Sequence, residues 1–403
     1  MKSLLKILAA IIFFGILGTL VPRSQDQKVS SEAYNLSEEA FDLHSAGKYA
    51  QALPLYKRSL AINEKALGPE HPDVASSLNN LAALYHTQGE YAQALPLYKR
   101  SLTIREKALG PEHPDVATSL NNLAELYRAQ GKYAEALPLY TRSLAIKEKT
   151  LDPEHPDVAK ILSNLAALYD AQGEYAEALP LCKRSLAISE KALGPEHPDV
   201  ALGLNNLGLL YYNQGEYAEA LPLYKRSLAI WERTLGPDHP GVALSLNNLA
   251  GLHETQGEYA EALPLLLRSL AIWEKALGPE HPDVAMGLNN LAELYRAQGE
   301  YAEALPLLKR ALAIREKALG PEHPDVANSL NNLALLYEAQ GKYAWALPLL
   351  KRSLAIYEKA LGPEHPDVAV SLNNLAALYR YAGRIEEAEV LEQRAAKILA
   401  IPR

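Results

Sequence analysis

The residues that most suggest chemistry are eight histidines that recur every 42 residues, from His71 to His365. Each is followed by proline, and in most copies an aspartate lies two positions on, as at Asp73. Histidine and aspartate are common metal ligands, but an ion needs about four ligands at about 2 Å. Histidines one repeat apart cannot converge on one ion. We therefore predict a role in turns and helix caps, and no metal site.

Paired asparagines form the second recurring polar feature. Asparagine is a poor helix former, and its amide is both a donor and an acceptor of hydrogen bonds. The row could grip the backbone of an extended peptide, or one asparagine of each pair could bond the adjacent helix and brace the stack. Only Ser163 breaks a pair. The asparagines are Asn79, Asn80, Asn121, Asn122, Asn164, Asn205, Asn206, Asn247, Asn248, Asn289, Asn290, Asn331, Asn332, Asn373 and Asn374.

Motifs of catalysis are absent from the sequence. We find no G-x-S-x-G, no phosphate-binding loop and no paired histidines with an acid. The single cysteine, Cys182, stands where other repeats have Tyr98 and Tyr140, so a small core residue is a simpler interpretation than a reactive thiol. We predict no enzymatic activity and no cofactor, since an enzyme would need an added domain.

These residues lie in a repeat marked by glycines, each 42 residues after the last. A fixed period of this length indicates a repeat solenoid. In the copy Pro72–Gly110, Pro72 and an acidic residue begin one amphipathic helix and Gly89 ends it. A second helix is predicted from Glu90 to Leu109, and Gly110 closes it with a left-handed cap. The glycines are Gly47, Gly89, Gly131, Gly173, Gly215, Gly257, Gly299, Gly341 and Gly383.

A proline falls inside each second helix except the last. Pro96 and its copies, from Pro54 to Pro348, would ordinarily cost about 3 kcal/mol and kink a helix. At 100° per residue Pro96 lies opposite the apolar face, so the carbonyl of Ala92 that loses its partner can be solvated. We predict that the helix continues through the proline with a slight bend.

The N-terminus differs from the repeats. Lys2 and Lys6 precede an apolar run, Ile7–Val21. This order is typical of a secretory signal, and a retained anchor is the alternative. Either one predicts export to the periplasm or beyond, or an inner-membrane anchor with the solenoid outside the cytoplasm.

The predicted domain organisation follows from the repeat and the N-terminal segment. Residues 1–21 are a signal peptide or membrane anchor, 22–31 a flexible spacer and 32–400 the solenoid. Glu38 and Glu39 in the first unit, and a charged last helix, are what capping units require. The units lie at about 32–68, 72–110, 114–152, 156–194, 198–236, 240–278, 282–320, 324–362 and 366–400.

The repeat resembles the tetratricopeptide repeat (TPR). The family pattern appears as Leu81-Ala82, Tyr85, Gly89, Tyr91, Ala94, Tyr98 and Ser101-Leu102. The 42-residue form with L-G-P-x-H-P-D-V-A between units is similar to the repeats of kinesin light chains and their bacterial relatives. The resemblance implies an all-α fold: a right-handed superhelical α-solenoid of about nine hairpins, here preceded by one N-terminal hydrophobic helix. The heptad coiled coil of kinesin light chains is missing, so motor linkage is not implied.

In this family the first helix of each unit lines a concave groove, which would place the asparagines there. Positions that vary between repeats fall on the same face. We predict an apolar stretch in the middle repeats, flanked by Arg128 and Arg296. Drift on a solvated face is the alternative. The apolar residues are Leu202, Leu209, Tyr212, Leu244 and Met286.

The predicted function is a non-catalytic scaffold that binds a peptide or helical segment of a protein partner in the groove. The alternative is a structural module that self-associates end to end without a peptide ligand. The net charge of −8 is mild and spread over every repeat, so no basic stripe predicts nucleic-acid binding. Contact with a membrane is expected only through the N-terminal segment.

Overall fold

The computed structural model describes residues 24–401, and the regular structure in that range is entirely helical. Eighteen helices form nine successive hairpins, which confirms the predicted all-α solenoid. The helices are α1 Ser24–Ser45, α2 Tyr49–Leu67, α3 Pro72–Thr87, α4 Tyr91–Leu109, α5 Pro114–Ala129, α6 Tyr133–Thr150, α7 Pro156–Gln172, α8 Tyr175–Leu193, α9 Pro198–Asn213, α10 Tyr217–Leu235, α11 Pro240–Thr255, α12 Tyr259–Leu277, α13 Pro282–Ala297, α14 Tyr301–Leu319, α15 Pro324–Ala339, α16 Tyr343–Leu361, α17 Pro366–Tyr381 and α18 Ile385–Leu399.

The start of the solenoid differs from the prediction. Helix α1 begins at Ser24, so the flexible spacer predicted for residues 22–31 is wrong from residue 24 onward. No glycine or proline lies between Ser24 and Ser45, and nothing in the local sequence interrupts a helix there. The predicted signal or anchor and its hydrophobic helix, residues 1–21, lie outside the described residues. Within residues 24–401, no helix is long and apolar enough to cross a bilayer.

The histidine before each first helix is its N-cap. In α3 the Nδ1 atom of His71 accepts a hydrogen bond of 3.1 Å from the backbone N–H of Asp73, with Pro72 at the first helical position. The same bond recurs in all eight His-Pro turns, at 2.9–3.1 Å. It satisfies one of the donors that a helix start leaves open. The predicted turn-and-cap role is therefore confirmed.

The glycines that end the two kinds of helix adopt different conformations. Gly89 has φ +68° and forms a Schellman motif, in which the N–H of Glu90 donates to the carbonyl of Tyr85 at 2.8 Å. Gly110 has φ +91° and ψ +153°, which is an extended region open only to glycine. The left-handed cap predicted at Gly110 is therefore wrong, because the chain leaves the helix straight into the next turn.

The second helices run unbroken through their prolines, as predicted. Helix α4 continues on both sides of Pro96, and both Pro96 and Ala92 are exposed to solvent. The freed carbonyl therefore meets water, which reduces the cost of the missing hydrogen bond. The other helices that contain a proline do so at Pro54, Pro138, Pro180, Pro222, Pro264, Pro306 and Pro348.

Buried serines fasten the two helices of a hairpin together. The hydroxyl of Ser101 in α4 donates to the carbonyl of Ala75 in α3 at 2.7 Å, and both residues are buried. Around this bond Val74, Leu78 and Ile104 form an apolar cluster. The same serine-to-carbonyl bond recurs in most hairpins. Each unit therefore has a small core that is completed by its neighbours, as expected of a solenoid.

Successive superhelical turns touch each other. We call the turn within a hairpin a glycine turn and the turn between hairpins a His-Pro turn. The Nε2 atom of His323 donates to the carbonyl of Thr87 at 3.0 Å, and His281 bonds Ser45 in the same way at 3.4 Å. These partners are 236 residues apart, which is between five and six repeats. The first three glycine turns thus pack on the last three His-Pro turns.

Candidate functional site

The first helices lie on the inner side of the curve. Side chains of successive first helices bond each other directly, as in the 2.9 Å contact between the Nδ2 atom of Asn122 and the Oδ1 atom of Asn79. Successive second helices are joined instead by long Arg–Glu pairs, such as Arg142 with Glu106 at 2.7 Å. Short links on one side and long links on the other indicate the concave and convex surfaces. The inner surface is therefore the candidate site.

The paired asparagines form a ladder along this surface. At four places in the described chain the second asparagine of one unit donates to the first asparagine of the preceding unit, as from Asn122 to Asn79, whereas Asn332 donates to Asn328 in its own helix. The same bond joins Asn164 to Asn121 at 3.0 Å. In the middle units it joins Asn248 to Asn205 at 3.4 Å and Asn290 to Asn247 at 2.7 Å. Bracing between helices is thus observed for these pairs. A role of the same asparagines in ligand binding stays a prediction.

Burial separates the asparagines into groups. Six of these amides are buried, namely Asn122 and five that lie between α9 and α15, and the others are at least partly accessible. Among the buried ones, the Nδ2 atom of Asn247 and the Oδ1 atoms of Asn248, Asn289 and Asn331 have no hydrogen-bond partner within the described chain. The buried asparagines are Asn122, Asn205, Asn247, Asn248, Asn289 and Asn331. The partly accessible ones are Asn79, Asn80, Asn121, Asn164, Asn206, Asn290, Asn332, Asn373 and Asn374.

Arg128 does not project as a free cation. Its Nε atom donates to the Oε2 atom of Glu125 at 2.9 Å, and the Tyr140 hydroxyl donates to the same oxygen at 2.6 Å. Burial alone would raise the pKa of Glu125, but the charge of Arg128 and these hydrogen bonds outweigh it and lower the pKa to about 2. Arg296 pairs with Glu293 in the same way. The inner surface is therefore close to neutral at both predicted flanks.

Glu125 was not among the predicted site residues, although a signal for it was present. A glutamate three residues before an arginine on one helix face is the spacing of an ion pair. The sequence has this spacing at Glu125–Arg128 and at Glu293–Arg296. The spacing alone could not indicate that the glutamate of the first pair also accepts a hydrogen bond from a buried tyrosine, Tyr140.

The predicted apolar stretch lies on the inner surface of the middle units. Leu202, Leu209, Leu244 and Met286 are half-buried. The Tyr212 hydroxyl is 2.6 Å from the Oγ1 atom of Thr255 in the next unit. This part of the surface therefore offers apolar side chains beside amides.

Two glutamates on this surface titrate abnormally. Burial, followed by repulsion from Glu293, raises the pKa of Glu254 to about 7. Burial raises the pKa of Glu338 to about 7 as well. Their folded pKa exceeds the ordinary value of about 4.5, so the fold favours the protonated form. Stability contributed by that form is present at low pH and is lost as the pH rises through about 7.

Glu254→Gln is expected to stabilise the protein at about pH 8 by up to about 3 kcal/mol and to leave it unchanged near pH 4. Glutamine keeps the shape of the side chain and removes the charge that burial disfavours. Urea denaturation of wild type and variant at both pH values measures the difference. The exposed Glu261→Gln in the same hairpin is the matched control and should change little at either pH. An equal gain from both variants would contradict this account.

The single cysteine, Cys182, lies in a second helix, α8. Cys182 is buried within the apolar core, and burial raises the pKa of its thiol to about 12, as expected of a core residue. The described residues contain no group of three His, Cys, Asp or Glu side chains placed to hold a metal ion. The arrangement can form hydrogen bonds and apolar contacts.

The repeat also matches a known family model. A tetratricopeptide repeat model matches residues 31–107, 86–149, 115–191, 157–214, 199–275, 243–317, 283–359 and 325–400. A putative kinesin light chain from Podosopora anserina with nearly identical TPR-like repeats is 35% identical to this chain. That match covers 51% of this chain and 98% of the other, with a TM-score of 0.42. Comparison with curated proteins gives no match.

Other solved structures are similar at lower identity. BtubC (BKLC) from P. vanneervenii is 25% identical, and the match covers 59% of this chain and 93% of that one, with a TM-score of 0.45. A Rap protein complexed with Competence and Sporulation Factor is 15% identical, with 92% of this chain and 98% of that one covered and a TM-score of 0.53. The Rap likeness indicates a shared fold.

Proposed function

Because the chain belongs to the tetratricopeptide repeat family, we propose that it is a non-catalytic scaffold that binds a peptide or helical segment of a protein partner on its inner surface. The observation that carries this proposal is the position of the apolar stretch. Leu202, Leu209 and Leu244 lie in the units α9–α10 and α11–α12, where neither the glycine turn nor the His-Pro turn is covered. The inner surface there can be approached from both edges.

The chemistry of this region supports a polypeptide ligand. Half-buried leucines next to the amide row combine apolar contact with groups that can pair with a peptide backbone. The predicted flanking arginines are paired with Glu125 and Glu293, so the surface lacks the excess positive charge that nucleic acid requires. The Rap protein, which shares this fold, has been solved in complex with Competence and Sporulation Factor. We therefore propose a protein or peptide partner, without nucleic acid or cofactor.

The test is selection of binding peptides from a displayed library, followed by affinity measurement with variants. Leu209→Gln combined with Leu244→Gln is expected to weaken selected peptides by about tenfold or more, since apolar anchors at the centre of an interface dominate affinity. Other repeats carry Glu125 and Asn328 at these positions, so polar side chains are compatible with the fold. Affinities are measured by fluorescence anisotropy with circular dichroism as the folding check.

Leu267→Gln is the matched control, because Leu267 is 46% exposed on a second helix, where other units carry a lysine. It should leave peptide affinity unchanged. Failure to select any peptide, or equal binding by the inner-surface variant and wild type, would count against the groove. Alanine at Asn205, Asn247 or Asn248 is a poorer test because these residues brace the helices.

We also propose that the protein is exported, either released or anchored in the inner membrane with the solenoid outside the cytoplasm. The support is the sequence of residues 1–21, in which two lysines precede an apolar run. Cell fractionation with mass measurement of the N-terminus tests this. Recovery of the intact chain in the cytoplasm would exclude it.

A further inference from the structure

The turn-to-turn contact buries residues that are otherwise accessible in the same repeat. The tyrosine after each of the first three glycine turns is buried, namely Tyr49, Tyr91 and Tyr133. Its copies Tyr175, Tyr217, Tyr259 and Tyr301 are half-buried, and Tyr343 is 38% exposed. The last three His-Pro turns behave alike: His281, His323 and His365 are buried, whereas His71, His113, His155, His197 and His239 are half-buried. The difference therefore comes from packing between turns.

The lack of a side chain at these glycines leaves room for this contact. A Cβ atom added at Gly89 would lie 2.8 Å from the Cδ atom of Pro324, and one at Gly131 would lie 2.7 Å from the Cδ2 atom of His365. From Gly173 to Gly383, the later glycine turns have no atom of residues 24–401 within 4 Å of such a Cβ atom. The surface that receives a His-Pro turn is thus present in every repeat, and within the described part of the chain it is occupied in the first three alone.

Both unoccupied edges carry the same sequences as the occupied contact. The segment Q-G-E-Y-A at 88–92 packs on E-H-P-D-V at 322–326. Q-G-E-Y-A recurs on the open glycine edge at 172–176, 214–218, 256–260 and 298–302. E-H-P-D-V recurs on the open His-Pro edge at 70–74, 112–116, 154–158 and 196–200. The segment Q-G-E-Y-A is complementary to the segment E-H-P-D-V in the occupied contact. Both segments have the same sequence and the same local structure at the open edges, so they can make the same contact between two chains.

We propose that a second copy of this chain docks on these edges, with the His-Pro turns of one molecule packed against the open glycine turns of another. The interface continues the contact already made within the chain. It is heterologous, because the two edges differ, so it does not close on itself and extends into a coaxial stack. This surface is distinct from the inner surface proposed for peptides.

Charge limits the strength of the association. Glutamate follows four of the six open glycine turns, at Glu174, Glu216, Glu258 and Glu300, while Lys342 and Arg384 follow the other two. The open His-Pro edge is acidic, so repulsion acts at the four turns that carry a glutamate. Repulsion between the two edges weakens as salt screens it. Stacking is therefore favoured by high protein concentration and high ionic strength. Two molecules could instead meet through their terminal helices, α1 and α18. That arrangement would bring exposed acidic residues together, including Glu38 and Glu39 of α1 and Glu386 and Glu387 of α18.

Sedimentation velocity of the full-length protein over a wide concentration range, at low and high salt, tests the proposal. The wild type is expected to show a sedimentation coefficient that rises with concentration, more steeply at high salt. The variant Gly215→Asn with Gly257→Asn and Gly299→Asn is expected to weaken association by about tenfold or more. Asparagine tolerates positive φ, but its Cβ atom occupies the space that a docked His-Pro turn needs.

A second variant works in the opposite direction. Glu174→Gln with Glu216→Gln and Glu300→Gln removes repulsion and is expected to strengthen association at low salt. Thermal unfolding of the dilute proteins checks that both variants fold. A wild type that stays monomeric at every concentration and salt, or a glycine variant that associates as strongly as wild type, would overturn the proposal. Neither result bears on peptide affinity, which is measured on the inner surface.

Discussion

Replacing both Gly89 and Gly131 by alanine is expected to separate the superhelical turns and to increase the radius of gyration. The added Cβ atoms would come within 2.8 Å of Pro324 and 2.7 Å of His365, where a folded chain has no room for them. The turns must move apart, and the bond from His323 to the carbonyl of Thr87 would break. Small-angle X-ray scattering measures the change in shape.

The matched control is Gly215→Ala with Gly299→Ala. All four glycines have positive φ, between +67° and +80°, so each alanine costs about 1–2 kcal/mol for backbone conformation. Only the first pair also meets the His-Pro turns. Its variant is expected to be less stable than the control by about 1–3 kcal/mol, the usual cost of overpacking. Equal scattering profiles and equal denaturation midpoints for the two variants would refute the turn-to-turn contact.

Glu125→Ala is expected to destabilise the protein by about 3 kcal/mol, because it leaves Arg128 without its anion and the Tyr140 hydroxyl without an acceptor. Glu293→Ala removes the same i,i+3 pair from a later unit. The Glu293 side chain is 24% exposed and that of Glu125 only 6%, so the control is expected to lose about 1 kcal/mol. Denaturant midpoints compare the two.

The effect of Glu125 depends on pH in a defined direction. Its folded pKa of about 2 is below the ordinary value of about 4.5, so the ionised form stabilises the fold. That stability is fully present above about pH 4.5 and is lost as the pH falls towards 2. The gap between wild type and Glu125→Ala should therefore narrow over this range. A gap that stays constant with pH would show that packing, and not the ion pair, is responsible.

The turn-to-turn contact also bears on how a partner reaches the inner surface. The first three units have their glycine edge covered, and the last three have their His-Pro edge covered. The three units from α7 to α12 have both edges open. The apolar stretch at Leu202, Leu209 and Leu244 falls within this open region. A variant that separates the superhelical turns would make the inner surface of the terminal units accessible. It would leave the inner surface of the three central units, α7 to α12, unchanged.

The sequence by itself determined the repeat and the hairpin, because both depend on local chemistry. Pro72 and Gly89 limit a helix by their backbone preferences, and the position of Pro96 opposite the apolar face predicts that its helix continues. The first helix was misjudged at its start, since a polar segment such as 24–31 can be a linker or a helix with equal local plausibility.

Tertiary structure alone decided which copies of a repeated residue meet. The ladder from Asn122 to Asn79 depends on how far successive first helices are displaced. The contact between Gly89 and His323 depends on the rotation per repeat, summed over more than five repeats. Identical segments have identical local preferences, so no local rule distinguishes Gly89 from Gly215. Only the accumulated curvature of the stack brings one against a neighbour and leaves the other in solvent.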